Sequence, residues 1–333
     1  MDFTLSDEQQ LLRETARNLL AKECPTSLVR AYIDDPSAAD PLWDALCDFA
    51  ALGDGPATDL GLFLEETGYV AAPGPFFATT ALFAPVLEAL GHDLLSDVLT
   101  GGATGTVALA GADGVWIVNG EPVKTFVPEA DRVEWLALVS AGPEVAVVPA
   151  AEVPHRRVGT IDWSRRLFEV DLAGVRGDAQ RVDAQVLDAI VERATVVLAA
   201  EMVGTARRLF EMTLEYAKQR IQFDVPIGSF QAIQHKLAEL SLAVERAQSA
   251  AQYAAMAIDA DDPDRHRAVH VAKAAAGAAA TRAAKDGIQI HGGIGYTWEH
   301  DLHLFIRRAY GSEHWMGTTA WHHDRLAELL LDG

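Results

Sequence analysis

A mainly α-helical protein with a small β-sheet domain in its middle is what this chain encodes, and three stretches of different texture along it predict that fold. Residues 1–105 carry helical apolar spacing interrupted by prolines. Residues 106–182 carry short β-branched runs separated by turn dipeptides, and residues 183–333 carry long Ala, Leu, Glu, Arg and Gln segments almost free of Pro and Gly. At 333 residues, with 50% hydrophobic and 23% charged side chains, the chain can bury a sizeable core.

In the first segment Leu11, Leu12, Ala16, Leu19 and Leu20 recur at helical spacing, and Ser6 with Gln9 three residues on has the form of a capping box. Pro36, Pro41, Pro56, Pro73, Pro75 and Pro85 cut the remainder into short helices, two of them expected at Leu60–Tyr69 and Thr79–Leu90. In the second, the runs Val107–Ala110, Val115–Val118, Val133–Val139, Val145–Val148 and Leu167–Leu172 predict strands of a small antiparallel sheet, with Asp113-Gly114 and Asn119-Gly120 as hairpin-type turns. In the third, the clearest helix runs from Ser229. Its apolar positions Phe230, Ile233, Leu237, Leu240 and Val244 step by three and four, the seam of an antiparallel bundle. The run Ala274–Ala280, with Gly277 inside it, predicts a close approach of helix backbones.

A formal net charge of −21 leaves no basic face for nucleic acid or anionic lipid. Cys24 and Cys47 have no metal-type spacing and suit a reducing cytosol as ordinary buried thiols. Met1 to Gln10 lacks the basic-then-apolar pattern of a secretory signal, so a cytoplasmic location is expected. No membrane span is read, because the longest apolar stretch, Val191 to Leu209, is interrupted by Glu192, Arg193, Glu201, Arg207 and Arg208. No metal site is expected either. His300, His303, His314, His322 and His323 lack the paired Glu-x-x-His spacing of a bundle metal site, and the single such motif, Glu152 to His155, contains Pro154 and falls in the sheet region. Trp298-Glu299-His300-Asp301 is read as the start of a helix, with Asp301 near its amino end.

Two motifs carry chemistry. One is Arg220-Ile221-Gln222-Phe223, followed by Gln231; the other is Gln289-Ile290-His291-Gly292-Gly293-Ile294-Gly295. An arginine presents a fork of donors that matches phosphate oxygens, and paired glycines let backbone amides approach a ligand closely. In that order and at that separation the two segments resemble the flavin site of the acyl-CoA dehydrogenases, and helices, small sheet and helical bundle follow one another as in that family. The resemblance implies FAD as cofactor, held by Arg220, Gln222, Phe223, Gln231, Gln289, Gly292, Gly293 and Thr318. It also implies that the two segments reach one flavin from neighbouring subunits, an acyl-CoA substrate, and electron-transfer flavoprotein as a partner.

The family's reaction is α,β-desaturation: a carboxylate removes the α-proton while the β-hydrogen leaves as hydride to the flavin. A base must lie within hydrogen-bond reach of that proton. The position where most of the family carries the glutamate is here Met316, and the position used by the isovaleryl-type branch is Ala194. A thioether and a methyl group take no proton. The sheet-side flavin wall departs as well: Ala108 to Asp113 stands where the family has a Thr-Glu-Pro-x-x-Gly-Ser-Asp loop, and Phe126-Val127-Pro128-Glu129 where it has Trp-Ile-x-Asn. Glu313, one turn before Met316, and Glu201, two turns after Ala194, are the weak candidates for a substitute base.

The chain therefore resembles the short subunit, lacking the catalytic glutamate, of bacterial heteromeric α2β2 steroid-type enzymes. A longer homologous partner would supply the base, and a bulky or steroid-derived acyl-CoA would be the substrate. The alternatives are a self-sufficient dehydrogenase using Glu313 or Glu201, and a catalytically silent scaffold that binds flavin or acyl-CoA.

Overall fold

The computed structural model describes residues 3–175 and 177–331; residues 1–2 and 332–333, at the ends of the expected segments, lie outside the described residues. Six helices open the chain: α1 (Asp7–Glu23), α2 (Thr26–Asp34), α3 (Asp40–Leu46), α4 (Ala57–Val70), α5 (Ala84–Leu90) and α6 (Leu94–Leu99). The capping box at Ser6 is complete, each of Ser6 and Gln9 accepting from the other's backbone N–H at 3.2 Å. The expected helix from Thr79 to Leu90 is in two parts, because Pro85 lacks the N–H that would continue a regular ladder; a π-helical turn at Ala78–Phe83 precedes α5.

Seven strands follow: β1 (Gly105–Ala108), β2 (Val123–Pro128), β3 (Trp135–Ser140), β4 (Glu144–Pro149), β5 (His155–Val158), β6 (Leu167–Asp171) and β7 (Gln180–Arg181). They form two sheets, in the orders β1-β3-β4-β7 and β2-β6-β5. Two expectations need correction. The first sheet is mixed, since β1 pairs with β3 in parallel. Val115–Val118 is not a strand: Asp113 accepts from the Val115 N–H at 3.0 Å and Asn119 donates to the Ile117 carbonyl at 2.9 Å, so side chains take the backbone groups a ladder would use.

The remainder is helical apart from a short hairpin, β8 (Ile221–Gln222) with β9 (Val225–Pro226). The helices are α7 (Ala184–Gln219), α8 (Gln231–Asp259), α9 (Arg265–His291), α10 (Leu302–His314) and α11 (Thr319–Leu331). Asp183 caps α7 by accepting from the Gln185 N–H at 2.9 Å. Leu237, Leu240 and Val244 of the expected seam are buried, whereas Phe230 precedes α8 and is exposed. Each fully buried Leu or Phe of such a seam contributes about 1.5–3 kcal/mol. None of the described helices is long and apolar enough to cross a membrane.

Two glycines let α4 and α7 cross backbone to backbone. A Cβ on Gly68 would meet the Glu201 carbonyl, and one on Gly204 would meet that of Glu65. Gly277 serves differently from its expected role: a Cβ there would meet the Glu313 carboxylate and the Thr319 hydroxyl, so it admits side chains rather than a second backbone. Asp301 does stand just before α10, but its carboxylate is drawn to α2, where it accepts from Thr26 at 2.6 Å and from Arg30 at 2.8 Å.

A buried charge network joins the three segments. Glu201 of α7 accepts from Arg165 of the sheet region at 2.5 and 2.6 Å and from Arg308 of α10 at 2.6 Å. Arg308 also pairs with Asp162 at 2.8 Å and donates to the Ala72 carbonyl at 3.2 Å, just after α4 in the first segment. All four charged groups are buried. Their desolvation cost is met only while every partner is present.

Candidate active site

The turn between α10 and α11 carries Trp315-Met316-Gly317-Thr318, and its backbone is unusual: Met316 has φ +56° and Gly317 φ +92°. A left-handed conformation at a side chain larger than glycine's persists only where the surroundings hold it. Here Lys273 of α9, wholly buried, donates to the Gly317 carbonyl at 2.8 Å, and His322 of α11 bonds the Met316 carbonyl through Nε2 at 3.0 Å. Burial lowers the Lys273 ammonium to about 8.

This turn forms one wall of a cavity of about 520 Å³. Val191 and Thr195 of α7, Val269 and His270 of α9, Trp321 of α11, and Trp116 and Phe126 from the sheet region form the others. Met316, where the resemblance would place the base, lines this cavity, and its Sδ lies 3.9 Å from the hydroxyl of Thr195, the neighbour of Ala194. Ala194 itself is fully buried. Thr318 also lines the cavity, its hydroxyl accepting from the Trp321 N–H at 3.1 Å as the cap of α11.

Neither substitute base is free. Glu313 points to the start of α11, accepting from the Thr319 N–H at 2.8 Å and from its hydroxyl at 2.9 Å. Glu201 is clamped between Arg165 and Arg308, whose guanidinium groups occupy its carboxylate oxygens. Both are structural carboxylates by their contacts. The carboxylates that do line the cavity are Asp113, Asp188 and Glu192. Asp188 is two turns of α7, about 10 Å along the axis, from Thr195, and Glu192 pairs with His266.

The sheet-side wall is rebuilt. Glu129, where the family has the asparagine, has φ +55° and turns into the interface with the first segment, accepting from Tyr32 at 2.6 Å and from the Arg166 N–H at 2.9 Å. Burial raises its carboxyl group above the ordinary range.

The motif residues lie at the other end of the bundle. Because α7 and α9 run one way and α8 the other, the end of α7, the start of α8 and the end of α9 meet there around Ala217, Leu237 and Ile290. Tyr216 stacks on His291 with ring centroids 4.3 Å apart. The Arg220 segment and the Gln289 segment are therefore neighbours at one end of the chain. Arg220, Gln222, Gln231, Gln289, Gly292 and Gly293 are exposed, and the Phe223 ring is 87% exposed. Arg220 has no ion pair among the described residues, and a Cβ on Gly292 or Gly293 would meet nothing within 4 Å. An unpaired guanidinium beside open glycine backbone fits the phosphate-bearing part of a dinucleotide flavin. The cavity fits it poorly, for no Lys or Arg lines it. From Thr195 to Arg220 along α7 is about 37 Å.

The profile of the acyl-CoA dehydrogenase C-terminal domain matches residues 186–331. An acyl-CoA dehydrogenase of Mycobacterium tuberculosis, IpdE2, is 33% identical over 93% of both chains. Among solved structures, the ChsE4-ChsE5 complex from M. tuberculosis superposes with a TM-score of 0.88 at 25% identity over the full length of both chains. A variant of the Tcur3481-Tcur3483 steroid ACAD gives 0.88 and 25% over 99% of each. The chain belongs to the acyl-CoA dehydrogenase family of oxidoreductases. Within that family it is similar to members whose names place them among steroid-type enzymes and two-component complexes.

Sequence reasoning missed the His270–His322 pair, Lys273 and the Arg165–Glu201–Arg308 network. The histidines were weighed only as metal ligands, and a lysine in an alanine-rich helix reads as a solvated one. No local signal announces that its head is buried.

Proposed function

We propose that this chain is the subunit without a base in a hetero-oligomeric, FAD-dependent acyl-CoA dehydrogenase, and that a longer homologous partner supplies the carboxylate. The single observation carrying this reading is that both family base positions hold side chains that take no proton, Met316 and Ala194, while Glu201 and Glu313 are engaged elsewhere. A bound FAD would supply the chemistry by accepting the substrate's β-hydrogen as hydride. Arg220 would neutralise its pyrophosphate, Gly292 and Gly293 would let backbone approach it, and Phe223, Gln222, Gln231 and Gln289 would flank it.

The opposed ends of the bundle favour assembly. A ligand touching both the motif end and a cavity meets the cavity of another chain, because the two ends of one chain are too far apart. Similarity to steroid-type enzymes supports a bulky acyl-CoA as substrate and electron-transfer flavoprotein as the acceptor of the electrons. The test is flavin absorbance per chain, with anaerobic bleaching by a panel of acyl-CoAs, on the protein purified alone and after co-expression with a glutamate-bearing homologue. Flavin and bleaching are expected in the complex alone; bleaching by the isolated chain would overturn the reading.

A further inference from the structure

The turn at Gly292–Tyr296 has little packing of its own. Gly292 has φ +65°, and a Cβ on Gly292 or Gly293 would meet nothing within 4 Å. A stretch without side chains to pack takes its position from whatever holds its two ends. Upstream it is held by the bundle: His291 bonds the Gly287 carbonyl through Nδ1 at 2.8 Å and stacks on Tyr216. Downstream it is held from outside the bundle.

Trp298, five residues past Gly293, lies flat against Trp163 of the sheet region, with ring centroids 5.5 Å apart and planes 17° apart. The Arg307 guanidinium covers the Trp163 ring at 3.8 Å, and Arg30 of α2 stands 5.9 Å from the centre of the Trp298 ring while it also binds Asp301. Stacked indoles, and guanidinium groups over them, attract through dispersion and through the charge distribution of the rings. Trp163 has a rigid base. Its neighbours belong to the buried charge network: Asp162 pairs with Arg308, Ser164 donates to Asp162 at 2.6 Å, and Arg165 pairs with Glu201. Trp298 in contrast is 53% exposed and lies edge-on to His303, whose two ring nitrogens are buried with no partner among the described residues. Burial alone does not account for that placement, since a core site would take more of the indole out of water and leave no imidazole unpaired.

We infer that Trp163 is a positioning residue for the glycine turn: through Trp298 it fixes the turn, from the sheet region, where its backbone can meet a ligand. A backbone already held in its bound form loses less freedom when the ligand arrives, so affinity rises without any contact from Trp163 itself. The inference rests on the reading above that this turn faces FAD, and it adds a residue that lies outside both motifs.

The test is amide hydrogen exchange on the full chain as purified, with FAD retention in the flavin-bearing complex as a second arm. Trp163→Ala is expected to speed exchange in residues 294–301 by about three- to tenfold, while α9 up to Gly287 and the sheet strands exchange as before. Trp298→Ala, which cuts the same stack from the other side, is expected to reproduce that pattern, and Trp163→Phe, which can still stack, is expected to restore most of the protection. In the complex Trp163→Ala weakens FAD retention by about three- to tenfold, read by equilibrium dialysis, and Trp163→Phe by less than about twofold. Unchanged exchange in residues 294–301, exchange raised equally along the whole chain, or no difference between the Ala and Phe variants would each overturn the inference. So would unchanged FAD retention in Trp163→Ala where Arg220→Gln weakens it. If neither substitution affects FAD, the assignment of the motif end to flavin fails instead, and exchange alone decides whether Trp163 holds the turn.

Discussion

The two ends of the helical bundle are built on opposite plans. At the cavity end, polar groups are buried and bound to one another: Lys273 and His322 hold the Met316-Gly317 turn, and His270 is aligned by His322. At the motif end they face outward, with Arg220 unpaired and apolar rings standing clear of the chain, Phe223 at 87% and Tyr296 at 73% exposure. A closed set of contacts is what stability requires. An open set of cations and rings is what a ligand or a neighbouring chain requires. The difference teaches that in this chain the motif residues face outward, whereas the positions where a base would be expected, Met316 and Ala194, are packed inside.

Substitutions at the two ends should separate accordingly. The largest effect belongs between them: Glu201→Gln leaves Arg165 and Arg308 without their shared carboxylate and is expected to cost about 3–5 kcal/mol, read as a lowered urea midpoint. Next comes Lys273. Its folded-state pKa of about 8 lies below the ordinary 10.5, so the unfolded chain binds more protons between those values. Stability contributed by this group is full above pH 10.5 and is lost as pH falls through 8. Lys273→Met should remove a rise on the order of 3 kcal/mol across that window, measured as the difference between the two proteins' denaturation curves at pH 7.5 and 10.5.

Removing the cap of α11 by Thr318→Ala should cost about 1 kcal/mol, visible as a lower Tm. At the motif end, Arg220→Gln should change stability by less than about 0.5 kcal/mol. In a complex that holds flavin, the same substitution should weaken flavin retention by about tenfold or more, read by equilibrium dialysis. A large loss of stability from Arg220→Gln, or none from Glu201→Gln, would erase the contrast between closed and open ends.

What was legible in the sequence was local. The capping box at Ser6 and the Leu237, Leu240 and Val244 part of the α8 seam depend on residues within a turn or two of each other, and the structure contains both, whereas the single helix expected across Pro85 is divided. The strand expected at Val115–Val118 failed on equally local grounds, but on side-chain competition for the backbone rather than on apolar alternation. The parallel pairing of β1 with β3 was not readable, because strand direction is set by how the chain returns between residues 108 and 135. Glu201 looked available as a base because its two guanidinium partners lie 36 and 107 residues away.

The sequence by itself determined the family, the flavin-type motifs at Arg220 and Gln289, and the loss of the glutamate at Met316 and at Ala194, since these are matters of which residue stands at which spacing. Tertiary structure alone decided that both motifs share one end of the bundle, that Glu201 and Glu313 are tied, and that His270 and His322 meet beside the cavity. Helix periodicity and caps are governed by neighbours along the chain, whereas burial, charge pairing and the direction of a hydrogen bond are governed by whichever distant group packing brings within about 3 Å.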